Sequence, residues 1–161
     1  MEGSLSESLQ VWLESAFNVA YLIVVWGLVV AMVLRRASVA PEDRVVARLV
    51  RWAFALLALG DTGHVGFRVQ AYATGGLDTQ TSLFGWQIGL VGMGSLSTAI
   101  TVTLFYVLLL ETWRVRFDRN YGWFEYLLLA AAGIRLLLLF PSANQWHLSV
   151  PPQPYVLYRN L

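Results

Sequence analysis

The chain contains no cysteine among its 161 residues. That excludes disulfides, thiolate metal sites and a cysteine nucleophile, and it leaves the redox compartment undetermined. Lysine is missing too: all eleven basic residues are arginine. A retinal pigment or pyridoxal enzyme, which needs a lysine Schiff base, is therefore excluded. The histidines are His64 and His147 alone, too few for a three-histidine zinc site, so no metal is expected and any other cofactor is unknown. Charged residues make up only 13% of the chain, where a soluble domain carries about a quarter. A net charge of +1 provides no global basic field, which argues against nucleic acid as a partner.

What the chain has in abundance is apolar surface. It is 57% hydrophobic, with seven Trp, seven Tyr and eight Phe. Long uncharged runs define the expected fold class: an all-α, polytopic transmembrane helix bundle forming one domain over residues 1–161, with spans near 16–34, 49–72, 90–113 and 123–140. The first run, AFNVAYLIVVWGLVVAMVL, covers roughly 28 Å at ~1.5 Å per residue and ends at Arg35 and Arg36. Glu2, Glu7 and Glu14 precede it where a signal peptide would be basic, so it reads as a retained helix. Residues 1–14 read either as a short interfacial helix presenting Leu5, Leu9, Trp12 and Leu13 or as a frayed terminus. Tyr21 reads as an interfacial belt residue.

Pro41, followed by Glu42 and Asp43, marks the start of the second helix: proline suits the first turn and the acids complement the helix dipole. Arg44, Arg48 and Arg51 then share a face, read as a positive-inside segment, with an anionic-lipid or partner contact as the other reading. Gly75-Gly76 breaks the chain into an outer loop over 73–82. The glycine-rich stretch 83–94 reads as an outer half-turn, a kinked extension or a re-entrant piece, with the third span's core starting near Ser95. The proline-rich residues after Pro141 read as an extended outer segment. Arg35, Arg36, Arg44, Arg48, Arg51, Arg114, Arg116 and Arg119 fall in the same set of loops, which places both termini outside.

The second span carries the chemistry. Asp61 lies ten residues beyond Arg51, roughly 15 Å into the membrane; His64 and Arg68 follow at i+3 and i+7 on the same face. Gly60, Gly63 and Gly66 lie between them and suit close helix approach. Arg135 lies roughly 18 Å into the fourth span, which runs in the same direction. Ionisable groups at that depth are costly alone, so an Asp61–Arg135 contact is predicted, direct or through one residue or water. His64 is expected just outward, with Arg68 and Asn18 above it and with Thr98 and Thr101 of the third span closing the site. Trp146 reads as a packing residue or as part of the site's mouth.

An Asp one turn before a His can fix the imidazole tautomer and raise its basicity, making Asp61 and His64 the catalytic candidates. A nearby Arg can hold a carboxylate, phosphate or oxyanion. One reading is an outward-facing intramembrane site for a small molecule or lipid-like ligand, in a carrier or a lipid-modifying enzyme. The other is a non-catalytic subunit of a larger membrane complex, in which Asp61 and Arg135 set helix registry. Partners on either reading are the lipid bilayer and other membrane helices, including those of a second copy.

The segments GDTGHVGFR, STAITVTLFYVLLLETW, GIRLLLLFPSANQW and PPQPYVLYRNL together resemble a family of uncharacterised bacterial polytopic membrane proteins. Members of that family carry Gly-Asp-x-x-His-x-x-x-Arg, a Thr-rich span ending Phe-Tyr, and an Arg followed by Phe-Pro-x-x-x-x-Trp. The likeness runs over roughly residues 16–161. It implies Gly60, Asp61, His64, Arg68, Thr101, Arg135 and Trp146 as marked positions, and it implies no activity. It also implies longer members with further spans, so that this chain would end early within a larger multi-span fold.

Overall fold

The computed structural model describes residues 2–83, 85–140 and 144–148. It is 80% helical. Four α-helices account for this: α1 (Glu2–Leu34), α2 (Arg44–Thr74), α3 (Leu90–Arg116) and α4 (Trp123–Leu138). Two short strands, β1 (Gln80–Leu83) and β2 (Trp86–Gly89), stand between α2 and α3. Two segments, Ala16–Ser38 and Leu90–Arg116, are candidate membrane spans by length and composition. The sequence reading expects four. α2 is long enough, but Arg44, Arg48, Arg51, Asp61 and Arg68 lower its hydropathy. α4 is apolar, but its 16 residues cover about 24 Å against a hydrocarbon core of about 30 Å.

α1 is one helix from Glu2, so residues 2–14 continue without a break into the helix that carries the Ala16–Ser38 candidate span. The chain leaves it through a 3-10 turn at Arg35–Ser38. A second such turn at Pro41–Asp43 leads into α2, as the Pro-Glu-Asp sequence predicts.

α2 and α3 pack closely: Gly94 of α3 meets the backbone of α2, and Gly60 and Gly63 of α2 leave room for only the small Thr101 and Ser97 side chains of α3. A Cβ on Gly60 would overlap the Thr101 hydroxyl and lie 3.4 Å from the Thr98 Cα. One on Gly63 would lie 2.9 Å from the Ser97 Cβ, and one on Gly94 would lie 3.1 Å from the His64 Cα. Partners on α3 fall in number as those on α2 rise, so the helices are antiparallel. The Thr98 hydroxyl donates to the Gly60 carbonyl at 3.1 Å, joining the two helices by a hydrogen bond. Gly66, expected on the same contact face, has no neighbour there.

The other side of α2 receives α1: Val25 and Val29 pack on Ala58, and the Trp26 indole donates to the Thr62 hydroxyl at 2.9 Å. α4 lies on α3 and makes no comparable contact with α2. At the arginine-rich end, Arg116 pairs with Asp43 at 2.6 Å, tying the end of α3 to the start of α2. Beside it Arg114 grips Glu111 through both Nε and Nη2, and the Tyr121 hydroxyl donates to the same carboxylate at 2.5 Å. That hydrogen bond to Glu111 holds the Tyr121 phenol above its ordinary range.

The stretch 83–94 corrects the sequence reading. β1 and β2 form an antiparallel hairpin in the register Gln80 to Gly89 and Leu83 to Trp86, turning at Gly85 with φ 84°. α3 starts at Leu90, whose N–H donates to the Thr79 carbonyl at 3.0 Å. The glycines do not break the helix; they admit neighbours. Gly94 receives α2, and a Cβ on Gly92 would overlap the Trp146 carbonyl oxygen. Of the expected outer tail, residues 144–148 fold back here, with the Gly89 N–H donating to the Trp146 carbonyl at 3.0 Å. The rest of that tail lies outside the described residues.

These contacts order two substitutions. Gly92→Ala drives a methyl into backbone and should lower stability by about 1–3 kcal/mol. Gly66→Ala meets open space and should raise it by about 0.5–1 kcal/mol, by lowering the chain entropy lost on folding. Thermal unfolding of the purified variants checks the order; equal midpoints would contradict the packing.

Candidate functional site

At about 100° per residue, Asp61, His64 and Arg68 fall within roughly 60° of one another on α2, between the α1 face and the glycine face. All three are partly buried. The Asp61 carboxylate accepts a hydrogen bond from the Tyr21 hydroxyl of α1 at 2.8 Å. Among the described residues it makes no ion pair. Asn18, half-buried, lies one turn from Tyr21 on α1 and so shares its face.

The expected direct Asp61–Arg135 contact is not formed. The Arg135 Nη1 donates instead to the Thr103 hydroxyl and, at 3.2 Å, to the Ala99 carbonyl, both on α3. The reason lies in the faces of α3. Gly94, Ser97, Thr98 and Thr101 point at α2, whereas Ala99 and Thr103 lie roughly 170° away around the helix. Arg135 therefore meets α3 from the side opposite α2, and Asp61 is turned towards α1. The two groups belong to different helix pairs.

Thr98 and Thr101 do reach the motif, and they do so as packing partners of Gly60, beside the polar stripe. Thr101 also donates to the Ser97 carbonyl at 2.9 Å, which occupies its proton within its own helix. Trp146 is only 6% exposed and packs with Ile88, Ala99 and Leu139. Its indole N–H donates to the Leu139 carbonyl at 2.8 Å, so it is a buried clamp rather than part of a mouth. The sequence reading missed Tyr21 and Thr103 as partners. Tyr21 carried a signal: Asn18 stands one turn away, giving two polar groups on one face of α1. Thr103 carried a weaker one, as the last hydroxyl on α3 before the apolar half.

Among the described residues no three His, Asp or Glu side chains gather as a metal site would require. The chemistry that remains is a carboxylate and phenol in hydrogen-bond contact, with an imidazole one helical turn along the same stripe. Such a set can hold a proton or accept a hydrogen bond from a ligand's donor group. Compared with family models, characterised proteins and solved structures, the chain matches none.

If Asp61 and Arg135 act in separate helix pairs, their effects on stability should add. Asp61→Ala and Arg135→Ala combined should equal the sum of the single changes within about 0.5 kcal/mol in thermal or chemical unfolding. A larger coupling term would restore the direct pair.

Proposed function

We propose that this chain is an integral membrane protein whose four helices all cross the bilayer, and that Asp61, Tyr21 and His64 form an intramembrane site for a small molecule or lipid-like ligand. The observation that carries the reading is the state of Asp61: a carboxylate midway along a 31-residue helix, hydrogen-bonded to a phenol and paired with no cation among the described residues. An ionisable group kept at that depth marks a ligand or proton path more often than packing alone requires. The ligand would present a donor or a positive charge to Asp61, with Asn18, His64 and Arg68 on the outer side and Thr98 and Thr101 forming the wall against α3.

The four-span reading rests on three further features. Large apolar side chains stand exposed along α1 and α4, among them Phe17 at 71%, Ile23 at 68% and Leu137 at 73%. The charges of α2 other than Asp61 lie towards its two ends. The Asp43–Arg116 pair gathers the arginine-rich segments at one end of the bundle, as the positive-inside rule requires of a cytoplasmic face. Both termini then lie outside. The resemblance to uncharacterised bacterial polytopic membrane proteins is part of this proposal and adds no activity to it.

The same exposed apolar surface favours the second reading, a helix-packing subunit of a larger membrane complex or homo-oligomer. On that reading Arg135 fixes the seating of α4 on α3 through Thr103.

Two experiments test these readings. Single cysteines at Ser38→Cys and Thr79→Cys, in a chain that otherwise has none, should react with an impermeant maleimide from opposite sides of the membrane. Reaction from one side contradicts the topology. Native mass spectrometry of the purified protein should show a bound small molecule or lipid whose retention falls about tenfold in Asp61→Asn. Equal retention, with unchanged stability, assigns Asp61 no ligand and leaves the subunit reading.

A further inference from the structure

A second site lies at the opposite end of the molecule's chemistry, where α1 ends and α2 begins. A cavity of about 550 Å³ opens between the end of α1, the start of α2 and the last turn of α3. That volume is within the usual range for small-molecule pockets, about 300–1,000 Å³. Its floor is apolar: Leu28 and Met32 come from α1, Val46 and Val50 from α2. Its polar wall is made of arginines. Arg116 is already neutralised by Asp43 at 2.6 Å. Arg35 and Arg51 line the same cavity and make no ion pair among the described residues. The Arg51 Nε is buried and lacks a hydrogen-bond partner.

A buried guanidinium nitrogen without a partner is costly, and the cost falls when an anion supplies the acceptor. Here the partly buried Arg51 and the exposed Arg35 at the rim, neither ion-paired among the described residues, flank an apolar floor, a match for a molecule with an anionic head and a hydrocarbon tail. We propose that this cavity binds one anionic phospholipid of the cytoplasmic leaflet, its phosphate held by Arg35 and Arg51 and the start of an acyl chain lying on Met32, Val46 and Val50. The inference rests on the reading that α1 and α3 cross a membrane, because that reading puts the cavity at headgroup depth. It is independent of the Asp61 site. It also separates the arginines of this segment: Arg51 turns into the cavity, while Arg44 and Arg48 are exposed and act through the general surface potential.

The test begins with an alkaline carbonate wash of membranes holding the full chain; release into the soluble fraction overturns the membrane reading and this proposal with it. The retained protein is then exchanged into nanodiscs of phosphatidylcholine with phosphatidylglycerol at equal amounts, and lipids retained after release are weighed by native mass spectrometry. The expected result is one phosphatidylglycerol per chain, preferred roughly tenfold over phosphatidylcholine. The preference should be lost in Arg35→Gln/Arg51→Gln. Val46→Phe, which fills the floor and leaves every charge in place, should also reduce retention, so the result does not depend on one variant folding; circular dichroism checks that each does. No preference in the natural chain overturns the proposal, as does a preference that survives both variants. Displacement of the lipid by millimolar inorganic phosphate also overturns it, by showing that the cavity reads a free anion rather than an amphiphile.

Discussion

Backbone touches backbone where α2 crosses α3. If both helices cross a bilayer as proposed, lipid tails there are as apolar as leucine, and the two helices gain nothing by merely hiding hydrophobic surface from each other. They associate through close van der Waals contact and interhelical hydrogen bonds. Gly60, Gly63 and Gly94 remove the side chains that would hold the helices apart, and Thr98 then reaches the Gly60 carbonyl. Because the seam admits no larger side chain, it fixes the rotation of both helices about their axes. The rest of the arrangement follows from that rotation.

With its glycine edge committed to α3, α2 presents Ala58, Asp61 and Thr62 to α1, where Val25, Tyr21 and Trp26 meet them. With its hydroxyl edge committed to α2, α3 presents Ala99 and Thr103 to α4, where Arg135 meets them. Each costly group is satisfied by its nearest neighbour in the row α1, α2, α3, α4. The hairpin and the 144–148 segment close one end over Gly89 and Gly92, and the arginine-rich turns close the other through Asp43 and Arg116. The polar stripe of Asp61, His64 and Arg68 lies along the flank of the seam, neither inside it nor fully outside.

Much of this was legible in the residues. The uncharged run from Ala16, the Pro-Glu-Asp start of α2, the Gly75-Gly76 break and the glycines at 60 and 63 all carry local physical signals, and each has a counterpart in the fold, whereas Gly66 does not. The hairpin was not legible, because four-residue strands show too little alternation to stand out among glycines that also suit a loop. The direct Asp61–Arg135 contact is not formed, for a different reason. Counting residues gives depth along a helix axis, and periodicity gives membership of a face, but neither says which neighbour a face is turned towards. For the same reason the two readings of Trp146, packing or mouth, could not be separated: its burial depends on a fold-back over Gly92 that no local pattern announces.

The central claim is the antiparallel glycine seam, and oxidative crosslinking tests it directly. With no natural cysteine, Gly63→Cys/Ser97→Cys places two Cβ positions 2.9 Å apart, which relaxation must open by roughly 1 Å to reach the separation a disulfide spans. Mild oxidation in native membranes should join this pair rapidly within one chain, while Gly66→Cys/Ser97→Cys stays largely reduced. Equal crosslinking of both pairs, or none at the first, would mean that α2 and α3 do not meet along this edge, and the rotation that sets every other contact would have to be abandoned.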